Sequence, residues 1–223
     1  MTILIATAMK EEAQPFLHGA EPVETPLGTA WEVMFRHKRV IVLVTGVGLV
    51  NAAATVAAAI VTFSPRAILN PGASGGLSQG IFVGDVVIGS SCTYHDADST
   101  AFSYALGQIP GMPEQYEADP ELLRIATSVT SDYRIRKGRV VAGNSFVADH
   151  LVESVRKAFP SALAADMEST AVGQVAHRFA LPFLPIRAIS DLCGPTASRD
   201  FSLSLDEAAA RAASVTTSVI DAY

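Results

Sequence analysis

The sequence predicts an α/β fold: a mainly parallel sheet covered by helices on both faces, in one domain spanning residues 1–223. Three observations predict it. Apolar, strand-like runs alternate with helical segments along the chain. Several of those runs end abruptly on acidic, hydroxyl or glycine residues, as strands do where ligands gather at their carboxyl ends. The composition, 49% hydrophobic and 17% charged over 223 residues, suits one well-filled domain, and no linker, repeat or low-complexity segment divides it.

Thr2–Ala8 is the first such run, and Met9-Lys10-Glu11-Glu12 opens a short helix with Pro15 near its start. Glu12 falls just past the strand, as a site carboxylate or as a solvated acid favoured by the helix dipole. Trp31–Arg36 and Arg39–Thr45 form a hairpin around His37-Lys38. The second arm runs into Gly46-Val47-Gly48 and an Ala-rich helix to Phe63. This is no dinucleotide fingerprint, because Asn51 holds the third glycine's place and Pro71 stands where the acid belongs. The glycines make a tight turn that a ligand can approach closely.

Ala67–Asn70 is a buried strand that empties into a loop, Pro71-Gly72-Ala73-Ser74-Gly75-Gly76. G-x-S-x-G is present, but no helix follows it, so Ser74 lacks the elbow of a serine nucleophile. The glycines instead expose backbone N–H groups suited to a ribose or an anion. Asp85–Tyr94 is another strand, followed by His95-Asp96-Ala97-Asp98 and a long segment to about Asp119. Loops of that length are functional or lie at interfaces. His95 and Asp98 find no third ligand at a matching strand end, and no metal is expected.

Pro120–Thr130 is a helix with proline at its start. Gly138–Gly143 is a strand that ends in Asn144-Ser145-Phe146-Val147, ahead of a helix from Asp149 to Phe159. The strand Ala162–Ala165 delivers Asp166-Met167-Glu168-Ser169 into the helix Thr170–Phe179. Leu184–Asp191 begins as a buried strand and ends on a hydroxyl and a carboxylate. Asp191 either has a dry wall behind it, which lets it hold a proton at neutral pH, or caps the next turn. The closing helix starts at Ser204-Leu205-Asp206-Glu207, a capping-box signature, and runs to the C-terminus.

The charge balance narrows the function. A net charge of −6, with sixteen Lys and Arg scattered along the chain, argues against nucleic acid, which needs a basic face. Cys92 and Cys193 are too few for a disulfide scaffold or a zinc site, so reduced thiols in the cytoplasm are expected. Met1 leads straight into a strand with no signal-peptide pattern, and the longest apolar run, Ala52 to Phe63, is too short to span a bilayer. No membrane association is expected, and a small molecule is the expected partner.

Glu12, the Gly72–Gly76 loop, Phe146-Val147, Met167-Glu168 and Ser190-Asp191 all lie at or beside strand ends. Three carboxylates, an aromatic face and several glycines around one crevice suit the cleavage of a glycosidic bond to a base. Such a reaction needs a proton donor for the leaving group, a base to activate water and a carboxylate to steady the cationic ribose.

On these residues the chain resembles the 5′-methylthioadenosine/S-adenosylhomocysteine nucleosidases, within the wider purine nucleoside phosphorylase-like family. The likeness runs nearly end to end. It is carried by Ala8-Met9-Lys10-Glu11-Glu12, Thr45-Gly46-Val47-Gly48, Asn70-Pro71-Gly72, Gly75-Gly76-Leu77, Tyr94-His95-Asp96-Ala97-Asp98, Thr100-Ala101-Phe102, Gln108-Ile109-Pro110-Gly111, Asp166-Met167-Glu168 and Arg187-Ala188-Ile189-Ser190-Asp191. The resemblance implies a mixed, partly closed sheet surrounded by helices, no cofactor, and a role in methionine salvage. It implies that Asp191 protonates adenine N7, Ser190 orients the base and Glu12 activates water. Glu168 would bind the ribose hydroxyls, with Met167, Met9 and Ala73 lining the site. Phe146 would stack on adenine, Val147 would read its edge through the backbone, and Val47 would touch the 5′ substituent. Phe102 and Pro110 match positions that reach across a dimer, so the resemblance implies a homodimer in which the 95–113 loop completes the neighbour's site.

The chain departs from that pattern in three places. Gly72-Ala73-Ser74-Gly75-Gly76 stands where Gly-Ser-Ala-Gly-Gly is common, and Asn144 replaces the usual Asp. The Leu192–Ser204 segment is longer, and the usual aromatic is Leu205 here, with Phe201 the nearest substitute. Three rival activities share the fold: a phosphorylase, a futalosine or aminofutalosine hydrolase, and an idle nucleoside binder. Phosphate binding calls for arginines, and neither Asn70–Gly76 nor Gly46–Asn51 carries one, which favours hydrolysis.

Overall fold

The computed structural model describes residues 1–26 and 29–223, with the backbone alone at Ser202 and Leu203. β1 (Thr2–Thr7) leads through α1 (Lys10–Ala13) and a 3₁₀ turn (Gln14–Phe16) to β2 (Glu21–Val23), β3 (Thr29–Phe35) and β4 (Lys38–Val44). α2 (Leu49–Phe63), β5 (Ala67–Gly76), β6 (Val86–Tyr94), β7 (Tyr116–Glu117) and α3 (Pro120–Thr127) come next. They are followed by β8 (Ile135–Ala142), α4 (Val152–Ala158), β9 (Ala162–Asp166), α5 (Ser169–Arg178), β10 (Phe183–Asp191) and α6 (Ala197–Ala222). No helix among the described residues is long and apolar enough to cross a membrane.

The strands form one sheet in the order β10-β6-β8-β9-β5-β1-β4-β3-β2, and β10 also pairs with β5. Strands β10, β6, β8, β9 and β5 therefore close on themselves, while β1, β4, β3 and β2 extend from β5 as an open wing. The sheet is mixed and partly closed, as expected. β1 runs parallel between β4 and β5. Its residues alternate between two cores: Ile3 and Ile5 pack with Ala212 and Val215 of α6, and Leu4 packs with Val56 of α2 and Val172 of α5. With both faces covered, the strand reads as an unbroken apolar run.

The turn of events that makes the site is in β5. Its first residues, Ala67–Leu69, pair with β1; its last, Gly75 and Gly76, pair with β9. Between them that edge has no strand neighbour, although β10 stays paired along the other edge. The sequence predicts a loop at Pro71–Gly76, and the strand runs straight through it. The reason is local. Strand residues alternate direction, so the Pro71 nitrogen faces the same open edge as the Ala73 amide, and its missing N–H costs no ladder bond there. Hence the carboxyl ends of β1 and β9 converge on one gap beside residues 70–74.

Other boundaries move for equally local reasons. The hairpin turns at Arg36 and His37 rather than at His37-Lys38, with Arg36 in the left-handed region at φ 52°. The helix expected from Asp149 opens as a 3₁₀ turn (Asp149–Leu151) before α4. α6 begins at Ala197, seven residues ahead of the capping-box signature, which lies inside the helix. β2 and β7 are short edge pairings that the sequence reading omits.

Candidate active site

The gap opens into a cavity of about 720 Å³ of empty space, its solvent mouth included. Nine of the residues expected at the site line it: Met9, Glu12, Val47, Ala73, Phe146, Val147, Met167, Glu168 and Asp191. They arrive from the ends of β1, β5, β8, β9 and β10 and from the turn before α2.

Glu12 is 4% exposed and is no solvated surface acid. Its Oε2 accepts from the amides of Ala8 (2.8 Å) and Met9 (3.1 Å), where the chain leaves β1. Its Oε1 accepts from Ala73 at 2.9 Å, the amide that the gap in β5 leaves free. The expected loop of open N–H donors is thus a strand whose free amide holds a carboxylate. Burial raises the Glu12 pKa, while Arg187 and the three amides pull it back.

Arg187 is the charged residue that sequence reasoning passed over. It lies in the middle of β10 and is 2% exposed. Its Nε donates to Asp166 Oδ2 and its Nη2 to Asn70 Oδ1. Asn70 in turn donates to the Ala6 carbonyl at 2.7 Å. The guanidinium faces Gly72, where a Cβ would come within 2.3 Å of Nη1 and 2.7 Å of Glu12 Oε1. Only glycine fits there.

Asp166 uses its second oxygen to accept from the Glu168 amide (3.1 Å) and from the amide and hydroxyl of Ser169. That sets the turn from β9 into α5 and aims Glu168 across the cavity. There Glu168 Oε1 accepts from the Gly48 amide at 2.9 Å. Burial, then the charge of Asp166, pushes the Glu168 pKa up to about 8.

Asp191 lies at the end of β10. Its Oδ1 accepts from the Cys193 amide at 2.9 Å and so caps the following turn, and it also lines the cavity. Ser190 is the extra residue of a β-bulge against β5. Its hydroxyl lies 3.0 Å from Asp191 Oδ2 and 3.2 Å from the Ser74 carbonyl. Ser190 itself is fully buried and absent from the cavity wall, and the side chain its hydroxyl reaches is Asp191. Burial raises the Asp191 pKa, the two hydrogen bonds oppose that, and Asp200 adds to it.

Phe102 and Pro110 are absent from the cavity wall, and Phe102 is 79% exposed. Neither completes the site of its own chain. Phe201 lines the cavity and meets Phe146 edge to face, with ring centroids 6.1 Å apart. Leu205 packs against the core instead. Ser145 and Ala165 also line the wall and carry no signal in the sequence beyond their neighbours. Ser74 is buried, and its hydroxyl has no hydrogen-bond partner.

Known proteins resemble this chain in sequence and in shape. The profile of the phosphorylase superfamily matches residues 2–221. A 5′-methylthioadenosine/S-adenosylhomocysteine nucleosidase of Staphylococcus carnosus (strain TM300) is 42% identical over 176 residues, covering 78% of this chain and 77% of the relative. The crystal structure of the 5′-methylthioadenosine/S-adenosylhomocysteine nucleosidase of Neisseria meningitidis, in complex with methylthio-immucillin-A, aligns with a TM-score of 0.96 at 33% identity. That alignment covers 100% of this chain and 99% of the other. A futalosine hydrolase mutant of Helicobacter pylori aligns with a TM-score of 0.94 at 25% identity, covering 100% of both chains.

Proposed function

The chain belongs to the phosphorylase superfamily, among its 5′-methylthioadenosine/S-adenosylhomocysteine nucleosidases, and from that premise we propose the reaction and the residues that perform it. The protein hydrolyses the N-glycosidic bond of 5′-methylthioadenosine and S-adenosylhomocysteine, giving adenine and the 5-substituted ribose.

The observation that carries the mechanism is a pair of buried carboxylates with unequal surroundings on one cavity. Burial raises the pKa of both, and they differ in what opposes it. At Glu12 the Arg187 charge and three amides favour the ionised form; at Asp191 only one amide and the Ser190 hydroxyl do so, and Asp200 adds to the rise. That inequality supports Glu12 as the base and Asp191 as the acid. Protonated Asp191 gives its proton to adenine N7, so the base leaves neutral as the C1′–N9 bond breaks. Ionised Glu12 takes a proton from water, whose oxygen bonds to C1′. Solvent returns the two carboxyls to their starting states.

Glu168 holds the ribose hydroxyls, and positive charge developing on the sugar would draw its protonated carboxyl toward the ionised form. Met9, Met167 and Ala73 line the sugar, and Phe146 stacks on the base. Val147 reads the base edge through its backbone, and Val47 faces the 5′ substituent. Arg187, which could have served a phosphate, is committed to Asp166 and Asn70 and shares its face of Gly72 with Glu12.

The homodimer belongs to the same reading. α2 presents exposed Val50 and Val61, beside an apolar cleft lined by Ala53, Ala57, Val175 and Phe179. A second copy would cover that face and receive Phe102 and Pro110 at its cavity. Phe102→Ala should then lose activity alone and regain it in mixtures with Asp191→Asn subunits. The two thiols are buried and unpaired, in keeping with a place in the cytoplasm, and the substrates are in keeping with a role in methionine salvage.

Adenine release from 5′-methylthioadenosine, followed with and without phosphate, tests the proposal. Equal release in both is expected. Release that requires phosphate makes the protein a phosphorylase, and release only from futalosine moves the specificity to that nucleoside.

A further inference from the structure

We propose that Asn144 is a positioning residue for this reaction: it ties the Phe146 wall of the cavity to the Val47 wall and thereby steadies the donor that holds Glu168. The inference rests on the hydrolytic reading above and adds a residue to it.

The N-terminus of α2 lacks a cap of its own. Its N-cap is Gly48, at φ 102° and ψ 156°, and a glycine offers no side-chain acceptor. Two successive amides there would go unpaired in a helix left to itself. Each instead finds a side chain from a distant strand end. Gly48 donates to Glu168 Oε1 at 2.9 Å, and Leu49 donates to Asn144 Oδ1 at 3.0 Å. Asn144 is fixed in turn, because its own amide donates to Asp96 Oδ2 at 2.8 Å.

The positions of these residues give the bonds their consequence. Val47, on the cavity wall, directly precedes Gly48; Phe146, also on the cavity wall, stands two residues after Asn144. The Asn144–Leu49 bond is therefore a strut between the walls that would hold the 5′ substituent and the base. It also fixes the peptide next to the Gly48 amide, so it sets how Glu168 is held. Asn144 is exposed and contributes nothing to the apolar cores, so its part in stability is limited to that one capping bond. A carboxylate at position 144 could accept the same bond from Leu49, while a methyl group could not.

The test compares Asn144→Ala and Asn144→Asp with the wild-type protein, using kcat/KM for 5′-methylthioadenosine and the Kd of adenine. The alanine variant should lose about five- to tenfold in kcat/KM, with a fall in melting temperature of no more than about 2–4 °C, the cost of one lost helix cap. The aspartate variant should recover most of that loss. An alanine variant within about twofold of wild type, or a loss that aspartate leaves unrepaired, overturns the positioning role. Wild-type protein that neither releases nor binds adenine overturns the hydrolytic reading, and this inference with it.

Discussion

Arg187 donates through Nε to the carboxylate of Asp166, and each of the two side chains is 2% exposed. The pair crosses β5 at Gly72, from the middle of β10 to the end of β9, and its charges act on both Glu12 and Glu168. Removing one member of a buried pair leaves the other charge uncompensated, which typically costs about 3–5 kcal/mol. Arg187→Leu should therefore lower stability by that order in urea unfolding. A change below about 1 kcal/mol, the scale of a surface pair, would show that the ion pair does not bear on the fold.

Asp191 and Glu12 should fail in different ways. Asp191→Asn removes the proton donor and should lower adenine release by about 10²–10⁴, the usual span for general acid catalysis. Glu12→Gln should bind 5′-methylthioadenosine in calorimetric titration and leave it uncleaved. Near wild-type turnover in either variant would take that residue out of its role.

Gly75 and Cys193 should be coupled. A Cβ at Gly75 would lie 2.4 Å from Cys193 Sγ and 3.2 Å from Asp191 Oδ1. Gly75→Ala must push the Cys193 loop away, and with it the amide that holds Asp191. Cys193 has φ 57°, so Cys193→Gly removes the sulfur without backbone strain. The double variant should be more active than Gly75→Ala alone. Strict additivity of the two changes would mean that the contact is not what excludes a side chain at position 75.

Glu168 gives stability a pH dependence of known sign. Its carboxyl is raised from an ordinary 4.5 to about 8, so the folded state holds a proton that the unfolded chain releases. The contribution is complete below pH 4.5 and is lost as pH rises through about 8. Glu168→Gln keeps an acceptor for Gly48 and removes the titration. Its melting temperature should gain on the wild type steadily across that window. A constant difference would place the Glu168 carboxyl outside this scheme.

Much of the site is legible in the sequence because the reacting groups follow apolar runs. A strand that ends on an acid announces a carboxylate at a sheet edge, and Glu12, Glu168 and Asp191 all carry that signal. Arg187 sits in the same run as Asp191 yet gives no such sign, since nothing local reveals which carboxylates will surround it. Pro71 and the glycines of β5 read as strand breakers because their partners are missing from view. The gap in the ladder excuses the proline, and the Arg187 guanidinium and Cys193 sulfur demand Gly72 and Gly75. The capping box at Ser204 is overruled by an earlier start to α6, and that start carries Phe201 to the cavity.

The most direct measurement is the fate of the attacking oxygen. The reaction would be run on 5′-methylthioadenosine in heavy-oxygen water containing phosphate, and the sugar product weighed by mass spectrometry. Water activated by Glu12 predicts a free 5-methylthioribose carrying one heavy oxygen and an adenine carrying none. A sugar 1-phosphate, or a sugar without the label, would contradict the account.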